Sequence, residues 1–330
     1  MRVLLYEWCC SGGLAGGDMS LATEGRMMLE ALAADAAKAP TIEMAVLVDA
    51  AMSLTLPSQA RTMTVPRGED VDTLVAAARE VDWTIIVAPE SRGILLDRVR
   101  RVRAAGARVL APHDRVIEVC SDKQATVDTL AASGVPVPAG RSLEPRESIP
   151  NGFHMPAIRK ARAGCGCDDL QAIISRQAAP AAVPTRLESF VEGTPVGVSL
   201  LAGPAGHVAL PSMRQRFEDG DRPRYVGSEP LADDEAAARA IALASRVARA
   251  VDADCGWIGV DLILGPRADG RDDRVLEVNP RMTTSIVGLA PLYATSLIAA
   301  MIDLAEGRPP ALVKLAAATI GAGSFSIAPD

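Results

Sequence analysis

Short aliphatic runs, each followed by a helix-length stretch, set the rhythm of the first third of the chain. RVLLY (2–6) leads through a glycine-rich turn into LATEGRMMLEALAADAAKA, and EMAVLVDA precedes a helix near 70–81. WTIIVAP (83–89) precedes another helix near 93–105, and RVLAP closes the series. Strands separated by helices of this length predict a parallel sheet with right-handed crossovers, a Rossmann-like lobe ending near Pro112.

The pattern changes at Asp114. DRVIEVCSDKQATVDTLAAS reads as one helix stopped by Gly134, and VPVPAG turns the chain out of it. A small lobe containing PAIRKARAGCGCDDLQ follows. From Thr185 strands dominate: TRLESFV, VGVSLLAG, HVALPSMRQ and, after a helix begun at Asp233 and Asp234, WIGVDLILG and DRVLEVNP. The last two, joined by the loop 265–273, read as a hairpin. The expected division is 1–113 for the first lobe, 114–187 for a small α+β lobe and 188–330 for a larger strand-rich lobe. The tail from Arg308 is rich in Pro and Ala and is expected to be loosely held.

At 330 residues and 49% hydrophobic content the chain suits two or three lobes. Aromatics supply only 3%, so Ala, Val and Leu must fill the cores, as in layered α/β proteins. A formal charge of −7 argues against nucleic acid as the main partner. Six cysteines without a C-x-x-C pair, and three scattered histidines, make a zinc site a poor fit and suit reduced thiols in the cytoplasm. No basic-then-apolar leader precedes RVLLY. The stretch 282–302 is uncharged and long enough to cross a bilayer, but Pro291 and its hydroxyls mark it as buried loop and core helix, so no membrane partner is expected.

Candidate chemistry concentrates in VLEVNPRMTTS (275–285). Glu277 and Asn279 are two apart on a strand, so their oxygens face one way while Val275, Leu276 and Val278 form the packing surface. Pro280 ends the ladder and Arg281 adds a cation to the same edge. Carboxylate, amide and guanidinium at one strand end suit a magnesium ion with bound phosphates. Asp261, acidic inside the apolar WIGVDLIL, needs a partner, either a metal shared with that pair or an arginine.

Lys123 and Lys160 lie in separate segments, and Gly164 and Gly166 after Lys160 would let backbone N–H groups close over phosphates. RLESFVEG suits a hinge, or an ordinary hairpin, whose backbone pairs with an adenine edge while Phe190 or Val191 packs on the ring. The SGG turn (Ser11, Gly12, Gly13), Glu7 and Glu90 sit at strand ends where open sheets bind ligands, although turn glycines explain SGG equally well. MRQRFEDGDRPRYVG offers Arg214, Gln215, Arg216, Arg222 and Arg224 for a substrate carboxylate, or forms a solvated basic loop. Thr283, Thr284 and Ser285 either line a pocket or bond a buried turn.

In order and spacing these motifs resemble the ATP-grasp superfamily of carboxylate–amine ligases over nearly the whole chain. The resemblance implies an α/β (α+β) ATP-grasp fold with a Rossmann-like parallel-sheet lobe, a small central lobe and a larger antiparallel-sheet lobe. It implies ATP with Mg2+, or Mn2+, and small-molecule substrates, an amino acid and an amine. By position, Lys123 and Lys160 resemble the phosphate lysines, and Glu188, Ser189, Phe190, Val191 and Glu192 the adenine hinge. Asp261, Glu277 and Asn279 resemble the metal ligands, and Arg281 the residue that steadies the transferred phosphate. A homodimer is compatible with this. Within the superfamily, LLYEWCCSGG, EGRMMLEALAAD, APESRGIL and NPRMTTSIVGL are most similar to tyramine-glutamate ligases, which make the tyramine-glutamate unit of methanofuran-type carriers. Ala161 departs from the proline that commonly follows the second lysine. Gly259 stands where the D-alanine-D-alanine ligase branch has an arginine.

Overall fold

The computed structural model describes residues 1–14, 19–164, 170–218, 223–315 and 323–327, and its strands there form three sheets. The first holds β1 (Arg2–Glu7), β2 (Glu43–Asp49), β3 (Arg61–Val65) and β4 (Trp83–Val87), all parallel, in the order β3-β2-β1-β4. Helix α1 (Met19–Ala36) covers one face, and α2 (Asp70–Ala78) and α3 (Ile94–Ala104) the other. Val3 to Tyr6 are fully buried, as a central strand covered on both faces requires. RVLAP contributes only a single bridge, Thr84 to Val109, whereas RTMTV, absent from the sequence reading, supplies the edge strand β3.

The helix expected from Asp114 is two helices, α4 (Asp114–Ser121) and α5 (Lys123–Ala132). Asp122 breaks it: its backbone is extended and its carboxylate accepts from the Gln124 and Ala125 N–H groups, the geometry of a helix N-cap. The break puts Lys123 at a helix start, with its side chain turned inward and 5% exposed. The small sheet follows, with β5 (Gly140–Leu143), β6 (Ala157–Ala161), β7 (Gln171–Ile173) and β8 (Thr185–Ser189) antiparallel in the order β5-β8-β6-β7.

The large sheet runs β14-β13-β9-β11-β12-β15. Its strands are β9 (Thr194–Gly203), β11 (Met213–Glu218), β12 (Arg224–Pro230), β13 (Gly256–Leu264), β14 (Arg274–Asn279) and β15 (Phe325–Ser326), with β10 (Gly206–Ala209) paired to β9. HVALPSMRQ is therefore two strands, β10 and β11, because Pro211 separates them. The tail is also tied down where it is described, since β15 adds to β12. Helix α6 (Asp234–Ala250), capped by Asp233, packs on one face of this sheet. On the other face, α7 (Ile286–Leu289) and α8 (Leu297–Ala305) share a hydrophobic core with α1 and the first sheet. Among the described residues no helix is long and apolar enough to cross a membrane.

Beside that shared core a buried polar stitch joins the two lobes. Asp35, fully buried at the end of α1, accepts from Ser296 Oγ and from the Ile298 N–H, both at 2.9 Å. Lys38 on the next turn donates to the Tyr293 carbonyl at 3.1 Å. Asp35→Ala would strand two buried donors, so it is expected to lower unfolding stability by about 3 kcal/mol, read as a lower urea midpoint with an unchanged slope.

Candidate active site

The hairpin of β13 and β14 carries the acidic residues, and its register explains how they meet. Gly259 pairs with Asn279 and Asp261 with Glu277, but Leu262 pairs with Val275, so the ladder skips Leu276. This bulge corrects the expected packing surface. One extra residue lets both Val275 and Val278 point into the core under α6, while Leu276 is left half-buried. The Leu276 carbonyl then accepts from Lys160 Nζ at 2.8 Å.

Around Asp261 the donors are neutral. Gln215 Nε2 bonds one carboxylate oxygen at 2.7 Å and Asn279 Nδ2 the other at 3.0 Å. Burial first and the facing Glu277 second push the Asp261 carboxyl up to about 6, against the pull of the two amides and Arg281. Two carboxylates facing each other, with the Asn279 amide bonded to one of them, offer the hard-oxygen chemistry that fits magnesium.

Both lysines reach this hairpin from the small lobe. Lys123 Nζ sits 3.0 Å from Glu277 Oε1 and donates to the Gly164 carbonyl at 2.7 Å. Lys160, 7% exposed on β6, pairs with Glu188 Oε2 at 2.9 Å. The other Glu188 oxygen takes Arg186 Nε at 2.6 Å, and Arg186 also donates to Gln124 and to the Pro138 carbonyl. Gly166, expected to close over phosphates with Gly164, lies outside the described residues.

In the hinge, the Ser189 N–H bonds the Ala139 carbonyl and the Phe190 N–H the Pro156 carbonyl. The Phe190 ring is half exposed, Val191 is half-buried, and Glu192 is exposed. Arg281 is held across the lobes by Glu90, Nε to Oε1 at 2.9 Å and Nη2 to Oε2 at 3.0 Å. Glu7 lies deeper, with its carboxylate accepting from the Cys10 N–H and pressed against Gly25. Burial above all raises its pKa.

The structure does not bring every candidate together. Ser11 is fully buried and donates to the Leu47 carbonyl, while Gly12, at φ +87°, and Gly13, against the Trp8 indole, shape the turn. Arg214 is exposed beside Glu229, Arg216 bonds the Phe325 carbonyl, and Arg224 pairs with Glu218. Arg222 lies outside the described residues. Ser285 Oγ contacts Thr283 Oγ1 at 2.7 Å and Ser199 Oγ at 2.9 Å, and Thr284 donates to Glu24. Sequence reasoning missed Arg186, whose signal was a charged residue two before Glu188 on the same strand face.

The ATP-grasp domain model matches residues 120–285, and the pre ATP-grasp 3 domain model residues 42–117. The chain belongs to the ATP-grasp family. ATP and Mg2+ are the cofactors of such enzymes. The tyramine–L-glutamate ligase of Methanocaldococcus fervens is 21% identical over 87% of this chain and 89% of its own length. An ATP-grasp superfamily protein from Archaeoglobus fulgidus superposes with a TM-score of 0.72 and 25% identity, over 95% of this chain and 90% of that one. The ADP complex of N5-carboxyaminoimidazole ribonucleotide synthetase gives 0.69 and 18%, over 95% and 78%.

The raised Asp261 value has a consequence in metal-free buffer. The folded state holds the proton more tightly than an ordinary carboxylate at 3.8, so this contribution to stability is present below about 3.8 and is lost as pH rises through about 6. Asp261→Asn is expected to remove about 2–3 kcal/mol of the fall in wild-type stability between pH 4 and pH 8, measured by urea unfolding at each pH.

Proposed function

We propose that this ATP-grasp enzyme, an ATP-dependent C–N ligase, joins L-glutamate, through its γ-carboxylate, to a primary aromatic amine of the tyramine type. The chemistry rests on one observation: two lysines from the small lobe converge on the β14 edge that carries Glu277 and Asn279. The choice of substrates rests on the likeness to a tyramine–L-glutamate ligase that aligns over 87% of the chain.

A carboxylate oxygen is a poor leaving group. In the proposed reaction a glutamate oxygen attacks the γ-phosphorus of ATP, ADP leaves, and an acyl phosphate forms. The amine then attacks the acyl carbon, phosphate departs with the original carboxylate oxygen, and the amine proton passes to solvent. Asp261, Glu277 and Asn279 would hold magnesium, which offsets phosphate charge when bound.

Lys160, sharing Glu188 with Arg186, keeps a net positive charge in that buried trio for the phosphates. Lys123, at the start of α5, places a second cation against Glu277. Arg281, fixed by Glu90, stands at the strand end where the transferred phosphate is proposed to pass. Orienting amine and acyl phosphate together contributes about 7–11 kcal/mol toward the barrier.

The test incubates the enzyme with MgATP, L-glutamate and tyramine and follows ADP release and product mass. One ADP per amide is expected, with Glu277→Ala, shown to be folded by its unfolding curve, at least about 100-fold slower. Turnover only with another acid–amine pair would keep the ligase and discard these substrates. Full activity of Glu277→Ala would sink the site.

A further inference from the structure

Gln215 and Asp261 are not on neighbouring strands: β9 runs between β11, which carries the glutamine, and β13. The residue of β9 that lies in register with Asp261 is Gly197, which on its other side pairs with Met213. Because position 197 has no side chain, the Gln215 amide crosses over β9 and donates to Asp261 Oδ1 at 2.7 Å. A Cβ at 197 would lie 3.3 Å from Gln215 Nε2 and 3.6 Å from Asp261 Oδ1, so any longer side chain would fill the space that the amide crosses.

With Asn279 Nδ2 on the second oxygen, each oxygen of Asp261 has one amide donor. A carboxylate oxygen has lone-pair capacity beyond one hydrogen bond, so two donors set the rotation of the group and leave it able to bind a cation. A lysine or arginine in the place of Gln215 would give the same orientation but cancel the charge. The flanking Arg214 and Arg216 are directed elsewhere, to Glu229 and to the Phe325 carbonyl.

We propose that Gln215 is a positioning residue for the divalent-cation site, reaching through the gap at Gly197 to fix the rotation of the Asp261 carboxylate. This rests on the reading of Asp261, Glu277 and Asn279 as cation ligands. Partners of metal-ligating side chains typically change metal affinity by about 10–100-fold when removed.

The experiment measures ADP affinity by calorimetry, once with Mn2+ and once with EDTA, for wild type, Gln215→Met, Gln215→Ala and Asp261→Ala, with an unfolding curve for each. The methionine keeps the volume of the glutamine and lacks its donor. The expected result is that Mn2+ tightens ADP binding in wild type and that this gain falls about tenfold in both Gln215 variants, with affinity in EDTA within about twofold of wild type. Loss of affinity in EDTA by the same factor would make the role merely structural and overturn the proposal. A full Mn2+ gain in the folded Gln215 variants, alongside its loss in Asp261→Ala, would also overturn the proposal while leaving the ligand reading intact. An undiminished gain in Asp261→Ala would defeat the ligand reading and this inference with it.

Discussion

Asp261 and Glu277 face each other across an antiparallel pair, and this unfavourable juxtaposition organises the rest of the site. Like charges opposed on a sheet destabilise it unless cations are brought to them. The chain brings one from α5, where the break at Asp122 turns Lys123 inward to Glu277. It answers Asp261 differently, with two neutral amides that preserve its charge. A carboxylate held in place without being neutralised suits an ion that arrives from solution.

The same hairpin shows how backbone irregularity serves chemistry. Skipping Leu276 in the ladder keeps Val275 and Val278 in the core and leaves a carbonyl within reach of Lys160. Lys160 of the small lobe is thereby tied to the large lobe, and Lys123 is tied to it through Glu277. Opposite them, the first and large lobes are fastened by a shared core, by Asp35 and by the Glu90–Arg281 pair. Charge is balanced across the site. Glu90, Glu188, Asp261 and Glu277 face Lys123, Lys160, Arg186 and Arg281.

Much of this was legible in the sequence because it depends on local pattern. Period-two placement of Glu277 and Asn279, the aspartate inside WIGVDLIL and the strand–helix alternation of the first lobe all follow from side-chain direction and burial. What escaped depends on partners distant in the chain. An N-cap at Asp122 competes with a continuous helical pattern, and Arg162, 40 residues on, supports the break by pairing with the Asp122 carboxylate and accepting from the Lys123 N–H. Gln215 reads as one polar residue among arginines until β9 places Gly197 beside it. Ser11 is a ligand candidate by its place in a glycine-rich turn, yet its side chain is buried and donates to the Leu47 carbonyl of β2.

The proposed reaction turns on the transfer of a phosphoryl group to a carboxylate, and oxygen labelling tests that most directly. L-glutamate carrying 18O in its γ-carboxylate would be turned over with MgATP and tyramine, and the released phosphate analysed by mass spectrometry. Activation as an acyl phosphate requires one 18O in each phosphate and one left in each amide. Amide that keeps one 18O while the phosphate stays unlabelled, the other label having gone to water, would contradict the account.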